Sequence, residues 1–266
     1  MFQFASTLGI AEKRSLEAKF PIENCFRYQE SGPFDPKTGR NIQVKCELLD
    51  CFDIDQSYFI PERHTVYNVV YSETDFAYNQ ESEFIQDGAA LYGYFQTEKY
   101  FSHIRENILQ QFSFKRDIRE LAEKYLEKIR SDNKDSQIVS IHVRRGDYVM
   151  FPDHHPTCSK NYYEQATSQF SDISDKIFLV FSDDIEWCRN EFKGSEFIIC
   201  DIQHSFEELC IMSLCDHHII ANSSFSWWGA WLNKSQNKKV IAPSQWFGPA
   251  INKDTSDVYC KNWKVL

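Results

Sequence analysis

From Gln137 onward, short β-branched or aromatic runs alternate with stretches of helical spacing, and this alternation limits the chain to few folds. The strand candidates are 138–143, 177–181, 197–200, 218–221 and 239–242, and the helix candidates between them are 161–170, 185–192, 206–215 and 226–233. Strands separated by helices pair in parallel, since each crossover returns the chain to the same edge, and the helices then cover both faces of the sheet. The expectation is therefore α/β, with a doubly wound parallel sheet in the C-terminal half. Ser205 with Glu208 has the spacing of a capping box and predicts the start of the third of these helices.

The first half reads differently. It is aromatic-rich and irregular, with a turn-rich insert at 31–39, a helix expected over 2–14 and a strand over 66–70. A further helix is expected over 117–130, where Ile118, Leu121, Ala122, Tyr125, Leu126 and Ile129 make one apolar face. The polar stretch 132–136 then predicts a boundary, with an N-terminal domain over 1–135 and a C-terminal domain over 136–266.

Composition narrows the function classes. A formal net charge of −10 opposes polyanions, so nucleic acid is not expected as a partner, while one small anion in a focused pocket is still allowed. No apolar run approaches the roughly 18 to 20 residues of a membrane-spanning helix, and no secretory leader stands at Met1. The expectation is a soluble chain that stays where it is made. Nine cysteines, scattered and without a C-x-x-C pair, read as reduced and mostly buried thiols, not as zinc ligands or a redox centre. The adjacent His154 and His155 read as a surface loop, since neighbouring histidines rarely face one ion. Arg145-Gly146-Asp147 follows a buried strand too closely to be displayed as an adhesion tripeptide. A P-loop, a G-x-S-x-G elbow and an H-E-x-x-H helix are absent from the sequence.

In an open parallel sheet, ligands bind beyond the carboxyl ends of the strands, where the βα turns gather. Four polar clusters fall there: His142 with Arg144, Arg145 and Asp147; Ser182 with Asp183 and Asp184; Asp201; and Asn222, Ser223, Ser224, Phe225 and Ser226. Arg144 and Arg145 carry permanent planar forks that suit phosphate oxygens. Strand alternation points them to opposite faces, so one reaches a ligand while the other pairs with Asp147 or its neighbours. The Asn222 to Ser226 stretch brings hydroxyls and unpaired backbone N–H groups to a helix start, which suits a diphosphate held without a metal. Asp183 or Asp184 either accepts from the donor edge of a base such as guanine or caps the helix that follows. Gly93 to Phe101 is the most distinctive patch of the first half, its aromatics suited either to sugar faces or to core packing.

Met1-Phe2-Gln3-Phe4-Ala5, Gly93 to Phe101, His142 to Tyr148, Phe181 to Asp184 and Ala221 to Leu232 together resemble the bacterial branch of the glycosyltransferase family 11 α-1,2-fucosyltransferases. The resemblance implies a GT-B-like fold of two Rossmann-like domains, the N-terminal one taking the acceptor and the C-terminal one GDP-fucose. It implies inverting transfer of L-fucose from GDP-β-L-fucose to the 2-hydroxyl of a galactoside in a surface glycan, with no cofactor and no essential metal. By the same resemblance Arg144 holds the donor diphosphate, supported by His142 and Arg145. Asp183 or Asp184 falls where the wider clan contacts guanine, Asn222, Ser223, Ser224 and Phe225 fall at phosphate and base, and Tyr94 and Gln96 fall on the acceptor side. The proton of the acceptor goes either to Asp147 or to a donor phosphate oxygen. The expected location is the cytoplasm, at the inner face of the membrane, or a Golgi lumen if a longer eukaryotic precursor exists. Two alternatives stand beside this reading: an inactive fragment that only binds nucleotide or glycan, and a transferase of another GDP-sugar. The first is motivated by a departure from the family, in which a β-strand and a Gly-rich turn ending in Gly-Asn-Gln precede the Met-Phe-Gln-Phe-Ala segment. A sheet lacking that strand exposes apolar surface, so the chain as written is expected to be poorly soluble or weakly active.

Overall fold

Ile138, Val139, Ile141 and Val143 form a β-branched run around Ser140 and His142, and such a run with no polar face is stable as a strand only when both faces are covered. In the computed structural model, which describes residues 1–25, 28–29, 34–35, 40–41, 44–134, 136–202 and 204–266, this run is the strand Gln137–Val143, β1, buried along its whole length after Gln137. It lies inside a parallel sheet with Lys176–Ser182 (β2), Phe197–Ile199 (β3), His217–Ile219 (β4), Val240–Ala242 (β5) and Lys264–Val265 (β6). The spatial order is β3-β2-β1-β4-β5-β6 with every pairing parallel, the doubly wound order that reverses direction between β1 and β4.

The pleat of β1 divides its side chains between two cores. Val139, Ile141 and Val143 pack with Tyr162, Tyr163 and Ala166 of the helix Lys160–Ser168 (α2), and with Cys188 of the helix Ile185–Glu191 (α3). Ser140 and His142 point the other way, toward the helix Ser224–Leu232 (α5) and its C-cap Asn233. On that side the helix Ser205–Leu214 (α4) packs against α5 and against the helix Arg116–Asp132 (α1). The buried face of α1 consists of Ile118, Ala122, Leu126 and Ile129, at the spacing expected from the sequence.

The contacts divide the chain into two units, Met1–Lys115 with Lys253–Val258, and Arg116–Asn252 with Tyr259–Leu266. The expected boundary after residue 135 therefore moves to residue 115. The apolar face of α1 is legible in the sequence, but its partner is α4 of the second unit.

In the first unit, the helix Phe2–Lys13 buries Phe2, Phe4, Ala5 and Leu8. Phe4 stacks on Phe20 at 4.6 Å and lies 5.6 Å from Phe112, so part of the aromatic content of this half forms a core, while Tyr67, Phe84, Tyr92 and Tyr94 are exposed. Its described strands form short ladders: Phe20–Pro21 runs parallel to Phe59–Ile60, and Val69–Ser72 runs parallel to Ala89–Tyr92. The strand expected over 66–70 thus begins later, after Asn68, whose N–H donates to Gly88 O at the mouth of the ladder. The turn-rich stretch 31–39 lies outside the described residues except for Phe34–Asp35. The α/β class and the doubly wound sheet of the second unit agree with the GT-B-like expectation.

One buried polar network ties β1 to β4. The imidazole of His218 is 2.8 Å from Ser140 Oγ through Nδ1 and 2.9 Å from Asn233 Nδ2 through Nε2. Asn233 Oδ1 accepts from Ser235 N and its Nδ2 also donates to Cys215 O, so the amide orientation is set and Nε2 must accept. The ring proton is then on Nδ1. Protonating His218 would aim an N–H at an N–H, and burial drives its pKa well below the ordinary histidine value. Burial also lowers His142, to about 4, and it lowers His155 and His217.

These histidines stay neutral in the fold while the unfolded chain takes up protons below about pH 6.5. The stability they contribute is present above that pH and is lost as pH falls toward their folded values, at up to about 1.4 kcal/mol per pH unit for each of the strongly shifted pair, His142 and His218. Glu208, raised to about 7, and Glu73, also raised by burial, act in the opposite sense between their unfolded and folded values, but they are two groups against four. The midpoint of urea unfolding should fall between pH 7.5 and pH 5.0, and by less in His218→Leu relative to that variant's own value at pH 7.5. A midpoint that is flat or rises toward pH 5.0 would contradict this account.

Candidate functional site

The reversal of strand order between β1 and β4 leaves a crevice at their carboxyl ends, and the residues after β1, β2 and β4 enter it. A cleft of about 450 Å³ opens there, lined by His142, Arg144, Ser182, Asp183, Ser205, Glu208 and Phe225, among others. Three of the four polar clusters expected to converge therefore do so. The fourth does not: Asp201 accepts a hydrogen bond of 2.8 Å from the Tyr125 hydroxyl of α1 and is not part of the cleft wall.

Arg144 spans two carboxylates, with Nη2 2.6 Å from Asp147 Oδ1 and Nη1 2.9 Å from Asp183 Oδ2. Its guanidinium carbon also stands 5.4 Å from the centre of the Tyr148 ring. Arg145 turns away, pairing with Asp184 at 2.9 Å and lying 4.5 Å over the Trp187 ring. One arginine thus reaches the cleft, but it is the ligand-facing Arg144 that holds Asp147. Asp183 also accepts from Arg145 N at 2.9 Å, which fastens the turn after β1 to the turn after β2. Gly146 is required at this junction, because a Cβ there would stand 2.5 Å from Asp183 Oδ2.

Of the two aspartates, Asp184 is the helix cap. Its Oδ1 accepts from Trp187 N at the start of α3, and its carboxyl is held below the ordinary range by the Arg145 hydrogen bond and then by this one. Asp183 lines the cleft.

The helix α5 begins at Ser224, two residues before its expected start at 226, because Ser223 is extended and takes the cap position. The N–H groups of its first turn lie beside Phe225, whose ring is 5.5 Å from that of His142. Ser224 is exposed and Ser223 is buried. Asn222 is committed elsewhere: its side-chain amide donates to Pro156 O and Trp246 O, and its Oδ1 accepts from the Cys158 thiol. It fixes the loops around the turn and has no side-chain N–H left for a ligand.

Among the described residues, two groups lining the cleft have no hydrogen-bond partner, the Nδ1 of His142 and the carboxylate of Glu208. His142 Nδ1 is buried with no hydrogen bond. Glu208, expected as the acidic member of a capping box, does not cap: the N-cap is His204, with no side-chain cap bond, and Glu208 faces the cleft instead. None of the described residues donates to its carboxylate. Burial first, and then the charge of Asp183, raise its pKa to about 7. Sequence spacing alone assigns this residue to a cap, and only the crossing of α4 over the sheet edge reveals its position.

Tyr94 and Gln96 belong to the first unit. Tyr94 is exposed, with its ring stacked 5.8 Å from that of Phe76, and Gln96 is half-buried two residues on. Among the described residues no group of three or more His, Cys, Asp and Glu side chains is placed to hold a metal ion, and no helix is long and apolar enough to cross a membrane.

Over 173 residues the chain is 33% identical to the O-antigen biosynthesis glycosyltransferase WbnK of Escherichia coli, an alignment covering 61% of this chain and 57% of the relative. It is 38% identical over 168 residues to an alpha-1,2-colitosyltransferase of Escherichia coli, covering 58% and 55%. It is 31% identical over 152 residues to galactoside alpha-(1,2)-fucosyltransferase 2 of Bos taurus, covering 53% and 44%. The chain spans about half the length of these curated relatives. The family model described as glycosyl transferase family 11 matches residues 59–266, which include every wall of the cleft and both acceptor-side candidates. The chain belongs to glycosyl transferase family 11.

Proposed function

We propose that the chain is an inverting α-1,2-fucosyltransferase that moves L-fucose from GDP-β-L-fucose to the 2-hydroxyl of a galactoside. The observation that carries this reading is the meeting of three features in one cleft: the Arg144 fork, the first-turn N–H groups of α5, and the unpartnered pair His142 and Glu208. The first two suit a diphosphate. The last two suit a purine, since guanine presents N1–H and its exocyclic amine as a donor pair, which one carboxylate accepts. In this reading Glu208, not Asp183 or Asp184, receives the guanine edge, while neutral His142 with Phe225 borders the base.

In the chemical step the acceptor oxygen forms a bond to the anomeric carbon from the face opposite GDP. The bond from that carbon to the phosphate oxygen breaks, and its electron pair leaves with GDP. Arg144 and the Ser223-Ser224 turn stabilise the charge growing there. Asp147, already paired at 2.6 Å, holds the guanidinium in place, so a donor phosphate oxygen is the better acceptor for the hydroxyl proton. No step requires a metal or a cofactor. The O-antigen wording of the WbnK relative favours a surface glycan as acceptor and the cytoplasmic face of a membrane as the place of reaction. A second reading, transfer of another deoxy-sugar from its nucleotide, is favoured by the 38% identity to an alpha-1,2-colitosyltransferase.

Arg144→Ala should weaken GDP binding by about 2 kcal/mol, some thirtyfold, because it removes a charged hydrogen-bond donor and leaves Asp147 and Asp183 facing the phosphates. Calorimetry with GDP measures this, and unchanged affinity would remove Arg144 from the site. Glu208 must be ionised to accept two donors, so GDP affinity should decline as pH falls from about 8 to 6, and this decline should disappear in Glu208→Gln. A donor comparison of GDP-fucose with GDP-mannose on lactose, with the product linkage read by NMR, tests the reaction itself. Turnover of GDP-mannose alone, or a linkage other than α-1,2, would overturn it.

A further inference from the structure

Phe95 is a buried aromatic residue with a φ of 53°, in the left-handed region that bulky side chains rarely adopt. Such a conformation persists only when its surroundings hold it. What holds it is Glu73, immediately beyond the ladder strand Val69–Ser72. The Glu73 carboxylate accepts from Tyr94 N at 2.7 Å through Oε2, and from Phe95 N at 2.9 Å through both oxygens. Gly93 closes the turn against the same side chain, since a Cβ at Gly93 would meet Glu73 Cβ at 2.4 Å. Burial raises the pKa of Glu73 despite these donors.

The conformation has one visible result. It turns Tyr94 outward, 65% exposed, with its ring lying 5.8 Å from that of Phe76 at an interplanar angle of 28°. An exposed tyrosine backed by a second ring gains little from core packing, and presents a flat apolar face with a polar tip. Beside it, a carboxylate with about four acceptor positions meets only two backbone donors. A flat apolar face next to an under-used carboxylate matches a sugar ring, which has one C–H face and a rim of hydroxyls.

We propose that Glu73 and the turn it clamps form a carbohydrate-binding element in the first unit: Tyr94, backed by Phe76, takes the face of a galactose ring, and Glu73 holds the turn and accepts a sugar hydroxyl. The identity of the sugar rests on the transferase reading. The built platform does not.

Saturation-transfer NMR with the purified chain and, separately, lactose, N-acetyllactosamine and methyl β-D-galactoside tests it. Saturation should reach the galactose ring protons of at least one of these sugars, and Tyr94→Ala should abolish that transfer while leaving GDP affinity unchanged. In turnover assays the KM for the same sugar should rise about tenfold or more in Tyr94→Ala and in Glu73→Gln, equivalent to about 1.4 kcal/mol. The KM for the donor should stay constant, and Glu73→Asp, which keeps the charge, should recover part of the loss. Transfer to none of the sugars, or transfer undiminished in Tyr94→Ala, overturns the proposal. GDP calorimetry on the same samples separates the two readings. GDP binding without sugar contact sinks this inference alone, and sugar contact without GDP binding sinks the transferase reading alone.

Discussion

One guanidinium organises the second unit's ligand edge. Arg144 bridges Asp147, in the turn after β1, and Asp183, in the turn after β2, and Asp183 in turn accepts the N–H of Arg145. Two loops that the sheet brings only into proximity are thereby fastened at defined distances. The dependence extends to the backbone: the approach of Gly146 to Asp183 leaves no room for a side chain, so this turn closes only around a glycine. Arg145 secures the outer layer by joining Asp184 and Trp187 at the start of α3. The two arginines are adjacent in the turn after β1 and have separate tasks, Arg144 pairing with Asp147 and Asp183 and Arg145 with Asp184.

The inner face of β1 explains why this edge sits on polar residues at all. Ser140 and His142 occupy buried positions that a pure packing argument would fill with aliphatic groups. Ser140 is satisfied through His218, and His218 through Asn233 at the end of α5, so the network sets how α5 lies across the sheet. The N-terminus of the same helix carries Phe225 into the cleft. His142, one pleat further along β1, is the member left without a partner at Nδ1, and it is the one beside Phe225. A buried imidazole nitrogen with no hydrogen-bond partner among the described residues costs free energy.

Much of this was legible in the sequence, for reasons that differ by residue. The strand and helix alternation after Gln137 identified the doubly wound sheet because buried parallel strands must be β-branched runs. The clusters at 142–147, 182–184 and 222–226 stood out because polar residues directly after such runs lie at the carboxyl ends. The two-residue strand Lys264–Val265 has no run to detect. Glu208 carried the spacing of a cap but occupies a cleft, since capping depends on the backbone of Ser205 and local spacing says nothing about α4 crossing the sheet edge. Asn222 read as ligand-facing, yet its amide is spent on Pro156 and Trp246, partners far along the chain. The domain boundary moved for the same reason, as an amphipathic helix announces that it needs a partner without saying which. In the first unit, Glu73 gave no local signal because its partners are the N–H groups of residues some twenty positions away.

The charge balance of the cleft bears on what enters it. Arg144 and Arg145 face Asp147, Asp183 and Asp184, so the ion-paired groups sum to one negative charge, and Glu208 adds a second when ionised. A cleft of this kind, in a chain of net charge −10, does not attract phosphate by long-range field. Affinity for a diphosphate has to come at short range, from the directed N–H groups of α5 and from Arg144 sharing its fork with the ligand. Such a site discriminates against simple polyanions, which meet the carboxylates with nothing to offer them. It favours a ligand that carries hydrogen-bond donors at a fixed distance from its phosphates, and a guanine nucleotide meets that condition where a bare pyrophosphate does not. In the proposed function the acidic residues would then do more than tolerate the ligand: they would let a negatively charged surface prefer a guanine nucleotide to a simpler anion.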